Sequence, residues 1–433
     1  LGYYSGAEEH FTHEKQGYPP LPHSKAKSFT AYDLANNTET TVAPCAGPVG
    51  NASNTYSSYL YGNETLRMLR SRDHSRPLFV YLAWNNVHAP TEAPDNYIAL
   101  HPDIQNLNRR NFSAMMSALD DQIDSVVTAF KAAGTWDDTL LVFSSDNGGN
   151  LGGSGSNYPL RGGKYTFWQG GVRSVAFIAG GDNVIPSSLR GTTWSQPVHQ
   201  ADWYTTFAGL AGIRSTHGSG PLPPDGVDFW DALVSDKPTP RVEVPLQILS
   251  DSPGNRFELP APEYCAALAG HDEAYHCAPP HLPPLSHPRF AHLGISLSLG
   301  ALIQGQWKLI WGYPGWNKQW DGWLKPPLNA ADHSDYMELQ SLPPYNGTVC
   351  VETPCLFDIF ADPTEHHDVA SQHPDIVERL QSRLIDLLAS EVTLEDSGLC
   401  PTSSGTSADP RGTAKAHSTG FWEPWLQLDA IGK

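Results

Sequence analysis

Between Pro77 and Ser145 the chain alternates two kinds of apolar pattern, and this alternation restricts the fold more than any other feature. Pro77-Leu-Phe-Val-Tyr-Leu-Ala-Trp84 is a continuous apolar and aromatic run of strand length, the pattern of a strand covered on both faces. From Asn111 onward, Met115, Leu119, Ile123, Val126, Val127 and Phe130 recur at helical spacing, while Asp120, Asp121 and Asp124 take the other face. Gly134 then supplies a C-cap. Thr139-Leu-Leu-Val-Phe-Ser-Ser145 is a second buried-strand run. Strand, helix and strand in this order predict an α/β fold with a mostly parallel sheet flanked by helices, and with functional groups at the carboxyl ends of its strands.

Other segments extend the pattern. Asn63 to Arg72 has helical character, Ser174 to Ala179 reads as a strand, and Gln200 to Leu210 as a helix. The stretch 13–56, rich in Pro, Ser, Asn and Thr, reads as a long surface excursion. A shift to Pro, Asp and Gly between Pro221 and Pro240 marks the approach to a boundary, dividing the chain into domains at 1–238 and 239–433. In the second, Val242 to Leu249, Ala301 to Trp311 and Cys355 to Phe360 read as short strands, and Asp375 to Ser390 as a helix with Ile376, Leu380, Leu384 and Leu387 on one side. A small antiparallel sheet with one covering helix and an irregular tail fits.

The charge balance excludes one class of partner. Lys and Arg number 27 against 46 Asp and Glu, a net charge of -19, so the basic footprint that nucleic-acid binding needs is missing. No stretch reaches the roughly 18 uninterrupted apolar residues of a membrane span. The six cysteines lack zinc-site spacing, which favours disulfides of open pairing, and sequons stand at Asn36, Asn51, Asn63, Asn111 and Asn346. Together these predict a glycoprotein of the secretory pathway, lysosomal or extracellular. The chain opens at Leu1 with neither Met nor a leader, and reads as a fragment or a processed chain.

Three segments carry chemistry. Ser145-Asp146-Asn147-Gly148-Gly149 ends a strand in adjacent oxygen ligands and glycines. The pair Asp146 and Asn147 suits a hard divalent cation, calcium or magnesium, and equally a turn in which both residues cap the chain. His88, in Asn85-Asn86-Val87-His88-Ala89-Pro90, follows the first strand run. It suits either a catalytic group facing the same crevice or a hydrogen-bonded structural residue. Pro159-Leu-Arg-Gly-Gly-Lys164, continuing to Phe167-Trp-Gln-Gly-Gly-Val-Arg173, is a glycine-flanked cationic loop. There Lys164 suits an oxyanion, or a solvated position with its stem laid on the surface.

These three segments, in this order, resemble the sulfatase family. Within it the resemblance is greatest to the arylsulfatase B type, through Gly2 to His13, Trp307-Lys-Leu309 to Gly312-Tyr-Pro-Gly315, Leu356-Phe-Asp358 to His367-Asp368, and Gly420-Phe-Trp-Glu-Pro-Trp425. The resemblance implies an alkaline-phosphatase-like fold and hydrolysis of sulfate esters, those of sulfated sugars, glycosaminoglycans or aryl sulfates. It implies calcium held in part by Asp146 and Asn147, His88 as sulfate contact and proton donor to the leaving oxygen, and Lys164 as sulfate contact. The family nucleophile, a formylglycine made from Cys or Ser in a Cys/Ser-x-Pro-x-Arg motif, has no counterpart here: Cys277-Ala-Pro-Pro-His281 ends in His, and Ser286-His-Pro-Arg289 is one residue short. The paired aspartates and the Gly-Lys-x-His segment of the family are missing as well. In the family all of these precede the point matching Gly2, which implies a chain inactive by itself, associating with the missing segment. The alternative is a pseudo-sulfatase that binds anions or sulfated glycans without turnover.

Overall fold

The computed structural model describes residues 2–3, 8–17, 29–32, 34–36, 47–48, 52, 54–151, 154–213, 223–250, 297–312, 314, 322–323, 325, 350 and 353–390. Cys45, Cys265, Cys277, Cys400, Asn51, Asn346 and the 420–425 motif lie outside them. The segment read as a surface excursion carries short strands: β2 (Glu14–Gly17) pairs with β3 (Phe29–Tyr32), while β4 (Leu34–Asn36) and β5 (Gly47–Pro48) form a separate ribbon with β1 (Gly2–Tyr3), which precedes the excursion. Leu34 and Ala52 are buried against Tyr61. The excursion is therefore anchored, because its apolar residues find a helix to pack on.

That helix is α1 (Ser57–Ser71), followed by the short α2 (Asp95–Ile98) and the long α3 (Leu107–Ala132). In α3 the predicted face is the buried one: Ala114, Met115, Ala118, Leu119 and Val126 are enclosed, and Asp120, Asp121 and Asp124 are exposed. Asn106 caps its start by accepting from Arg109 N at 3.0 Å, and Gly134 follows its end at φ +66°.

The strand runs depart from expectation. β6 (Leu140–Ser144) is half-buried and pairs antiparallel with β7 (Ala176–Gly180), Phe143 stacking on its register partner Phe177 at 5.0 Å. Pro77–Trp84 forms no strand, and its Phe79 and Tyr81 are 70% and 84% exposed. An apolar run becomes a buried strand only where other strands pair with it, and no described strand pairs with this one. The parallel pairing expected of the sheet is absent among the described strands, all of whose pairings are antiparallel.

Beyond α4 (Gln169–Val172), α5 (Asp202–Leu210) and α6 (Trp230–Val234) lies the expected antiparallel sheet. Its order is β11-β10-β9-β8, built from β8 (Glu243–Ser250), β9 (Leu297–Gln304), β10 (Trp307–Trp311) and β11 (Cys355–Asp358). The run Ala301–Trp311, expected as one strand, is a hairpin: Gln304 pairs with Trp307, and Gly305 turns the chain at φ +60°. Helix α7 (Pro374–Ala389) covers the sheet, setting Leu380 and Leu384 against Leu302, Leu309 and Leu356. Full burial of each leucine contributes about 1.5–3 kcal/mol. Arg383 fixes the helix to β8, its Nη2 reaching Glu243 Oε1 at 2.7 Å. The expected disulfide chemistry appears once among the described residues, joining Cys350 to Cys355.

Candidate functional site

Two of the three predicted segments are built into each other. At the end of β6, Gly148 N donates to Gly171 O (2.9 Å) and Lys164 N to Gly149 O (3.1 Å), so the strand end and the cationic loop share backbone hydrogen bonds. Glycine is required here: a methyl group on Gly148 would stand 1.7 Å from Gly170 O. Gly162, at φ +72°, faces Trp168 with no room for a side chain.

Asn157, which the sequence reading did not single out, clamps the junction. Its Oδ1 accepts from Gly149 N at 2.7 Å, and its Nδ2 donates to Gly149 O at 3.0 Å and to Gly162 O at 3.1 Å. All of its amide's near partners are backbone atoms of the two glycine segments, which gives it a positioning role for Asp146, Asn147 and Lys164. A lone Asn in a glycine- and serine-rich stretch carries no pattern by which it could have been found.

Asp146 is exposed and Asn147 half-buried, with Asn147 Nδ2 donating to Gly148 O at 2.8 Å. Their oxygens fit a hard cation in kind. In number they fall short of the roughly 6–8 ligands calcium takes, and no group of three or more His, Cys, Asp or Glu among the described residues is arranged to hold a metal. Lys164 is half-buried, its Nζ 5.2 Å from the Tyr165 ring centroid. Arg161, another cation of the loop, is buried. Its guanidinium lies 3.5 Å from the Trp168 centroid and 4.7 Å from that of Trp323, with Nη1 directed to Glu365 O. It therefore braces the loop against the C-terminal sheet.

His88 stands in a separate network. It is exposed, and its Nδ1 donates to Ala89 O at 2.8 Å, the carbonyl oxygen being able only to accept. The preceding Asn86 donates through Nδ2 to Met115 O (2.9 Å) and Tyr56 Oη (3.0 Å), and accepts from Ser58 Oγ. Burial pushes the Tyr56 hydroxyl up to about 12, so it stays a neutral donor and acceptor. Helix α3 supports both networks, through Met115 O on one side and Arg109 Nη1, which donates to Ser154 O at 2.7 Å, on the other.

Of the sequon residues, Asn63 is exposed on α1, whereas Asn111 Nδ2 donates to Thr91 O at 3.1 Å. For Asn36 only the backbone, in β4, is described. No helix among the described residues is long and apolar enough to cross a membrane.

The chain is similar to known sulfatases. The sulfatase family model matches residues 1–213. Mouse arylsulfatase J is 30% identical over 377 residues, covering 86% of this chain and 54% of that protein. Human arylsulfatase A is 28% identical over 180 residues, covering 40% and 32%. Human N-acetylgalactosamine-6-sulfatase is 28% identical over 162 residues, covering 36% and 28%. The chain thus spans about half the length of the mouse sulfatase. Among solved structures, Ps i-CgsB in complex with k-i-k-neocarrahexaose superposes with a TM-score of 0.52 at 22% identity, covering 78% of this chain and 58% of that one. The PsFucS1 sulfatase from Pseudoalteromonas sp. gives 0.50 at 16%, covering 83% and 59%. At these identities the likeness concerns the fold, which is the alkaline-phosphatase-like α/β fold of sulfatases.

Proposed function

We propose that this chain belongs to a sulfatase of the arylsulfatase B type, and that the whole protein hydrolyses sulfate esters, with a sulfated sugar or an aryl sulfate as substrate. The observation that carries the reading is the Asn157 clamp, which locks the segment of Asp146 and Asn147 to the loop of Lys164 through three hydrogen bonds. A relative bearing the name N-acetylgalactosamine-6-sulfatase supports the sugar class.

In this reading Lys164 Nζ binds the sulfate oxygens. His88, with Nδ1 engaged by Ala89 O, holds at Nε2 the proton that passes to the leaving oxygen. Asp146 and Asn147 would be two of the ligands of a calcium ion, which when bound supplies positive charge beside the sulfate. A formylglycine would supply the nucleophile; no Cys/Ser-x-Pro-x-Arg sequence stands in the 433 residues. A further segment carrying it would also cover the exposed run around Phe79 and Tyr81. The Cys350–Cys355 disulfide supports an oxidising compartment, lysosomal or extracellular.

Isothermal titration of inorganic sulfate into the chain tests the reading. Binding should weaken at least about tenfold in Lys164→Ala, the loss of one charge-assisted contact; equal affinity in the variant refutes the assignment. The lack of the nucleophile motif favours a second reading, a binder of sulfated glycans without turnover, which gains if the longer protein also lacks that motif.

A further inference from the structure

His10 is fully buried, and the mechanism above gives it no part. Its Nε2 lies 2.9 Å from the carbonyl oxygen of His88, across 78 residues of sequence. Because that oxygen can only accept, Nε2 carries the proton, while His10 Nδ1 is buried without a hydrogen-bond partner. A side chain that leaves one polar atom unsatisfied in order to place the other has a position to defend.

The surrounding bonds fix that position from several sides. His10 N donates to Glu92 Oε2 at 3.1 Å, and His10 O accepts from Ser57 N at 2.8 Å and Ser57 Oγ at 3.0 Å. The imidazole stacks on Tyr56, centroids 5.6 Å apart, and Tyr56 Oη in turn donates to Glu92 O at 3.0 Å. Glu92 and His88 belong to one loop, so the His10 segment grips that loop at both ends, with the ring bond falling on His88 itself.

We propose that His10 is a positioning residue for His88, its Nε2–H holding the His88 carbonyl and thereby the direction in which the exposed His88 imidazole points. The inference rests on the reading of His88 as a sulfate contact. Phenylalanine at position 10 would keep the stacking on Tyr56 and lose the donor; glutamine would keep an N–H of similar reach.

The test uses the 433-residue chain labelled with 15N-histidine and titrated with inorganic sulfate, following the His88 ring nitrogens by NMR. The expected result is a sulfate-dependent shift of His88 in the wild type, an apparent affinity at least about threefold weaker in His10→Phe, and one near wild type in His10→Gln. A wild-type His88 that ignores sulfate removes the sulfate-contact reading, and the proposal with it. A responsive wild type with an equally responsive His10→Phe overturns the proposal alone, as does equal weakening in both variants. Should His10→Phe fail to fold, the wild-type spectrum decides: His10 must carry its proton on Nε2 with Nδ1 bare, and the opposite tautomer overturns the clamp.

Discussion

Lys308 Nζ, on β10, and Glu365 Oε1, in the segment that follows β11, meet 2.6 Å apart, both fully buried and separated by 57 residues of sequence. Burial pushes the Lys308 ammonium below its ordinary range, and the Glu365 carboxylate opposes that push. Glu365 Oε2 also accepts from Gln169 N at 2.6 Å, so the pair joins the C-terminal sheet to the loop that carries Lys164.

Breaking this pair from one side should cost far more than replacing it whole. Lys308→Met strands a buried carboxylate and should lower stability by about 3–5 kcal/mol, whereas Lys308→Met combined with Glu365→Leu should recover most of that loss. Urea unfolding of the three proteins checks this; a double variant no more stable than the single one would show that the ion pair contributes through its specific hydrogen bonds.

Gly148 should tolerate nothing larger. A Cβ within 1.7 Å of Gly170 O demands movement of backbone, so Gly148→Ala should cost more than about 3 kcal/mol and should abolish sulfate binding. Asn157→Asp should behave similarly for a different reason. It sets a carboxylate oxygen where Nδ2 now donates to Gly149 O and Gly162 O, and should destabilise by about 2–4 kcal/mol, more than Asn157→Ser. Melting curves rank the three variants.

The parts legible in the sequence were those with a period. The face of α3 and the sheet-facing leucines of α7 follow from spacing alone, and the strand end before Asp146 follows from a run closed by glycines. What escaped depends on partners far along the chain. Pro77–Trp84 has the composition of a buried strand and no pairing among the described strands, while the β9–β10 hairpin hides its turn in a single glycine. The Asn157 clamp and the His10 bond to His88 join residues through groups whose sequence context is unremarkable, since a hydrogen bond across 78 residues leaves no trace in local pattern.

Burial lowers the His10 pKa from 6.5 to about 4, so the folded protein resists a proton that the unfolded chain accepts. Between these two values the unfolded state binds more protons, and stability must fall as pH drops from about 6.5 toward 4. The contribution lost by about pH 5 is roughly 2 kcal/mol. His10→Gln removes the titrating group, so its melting temperature should decline less than that of the wild type over the same interval. Parallel declines would mean that other groups set the acid response.

In a protein that contains this chain together with the nucleophile, His88 and Lys164 should separate by their dependence on the leaving group. A proton donor matters most when the departing oxygen is a poor leaving group, so His88→Ala should slow a sugar sulfate far more than a nitrophenyl sulfate. Lys164 acts on sulfate oxygens that every substrate shares, so Lys164→Ala should depress kcat/KM for both by similar factors, on the order of 10²–10³. The 433 residues alone, lacking the nucleophile motif, should hydrolyse neither. If the two variants show the same leaving-group dependence, His88 is a second sulfate contact, and the proton must come from another group.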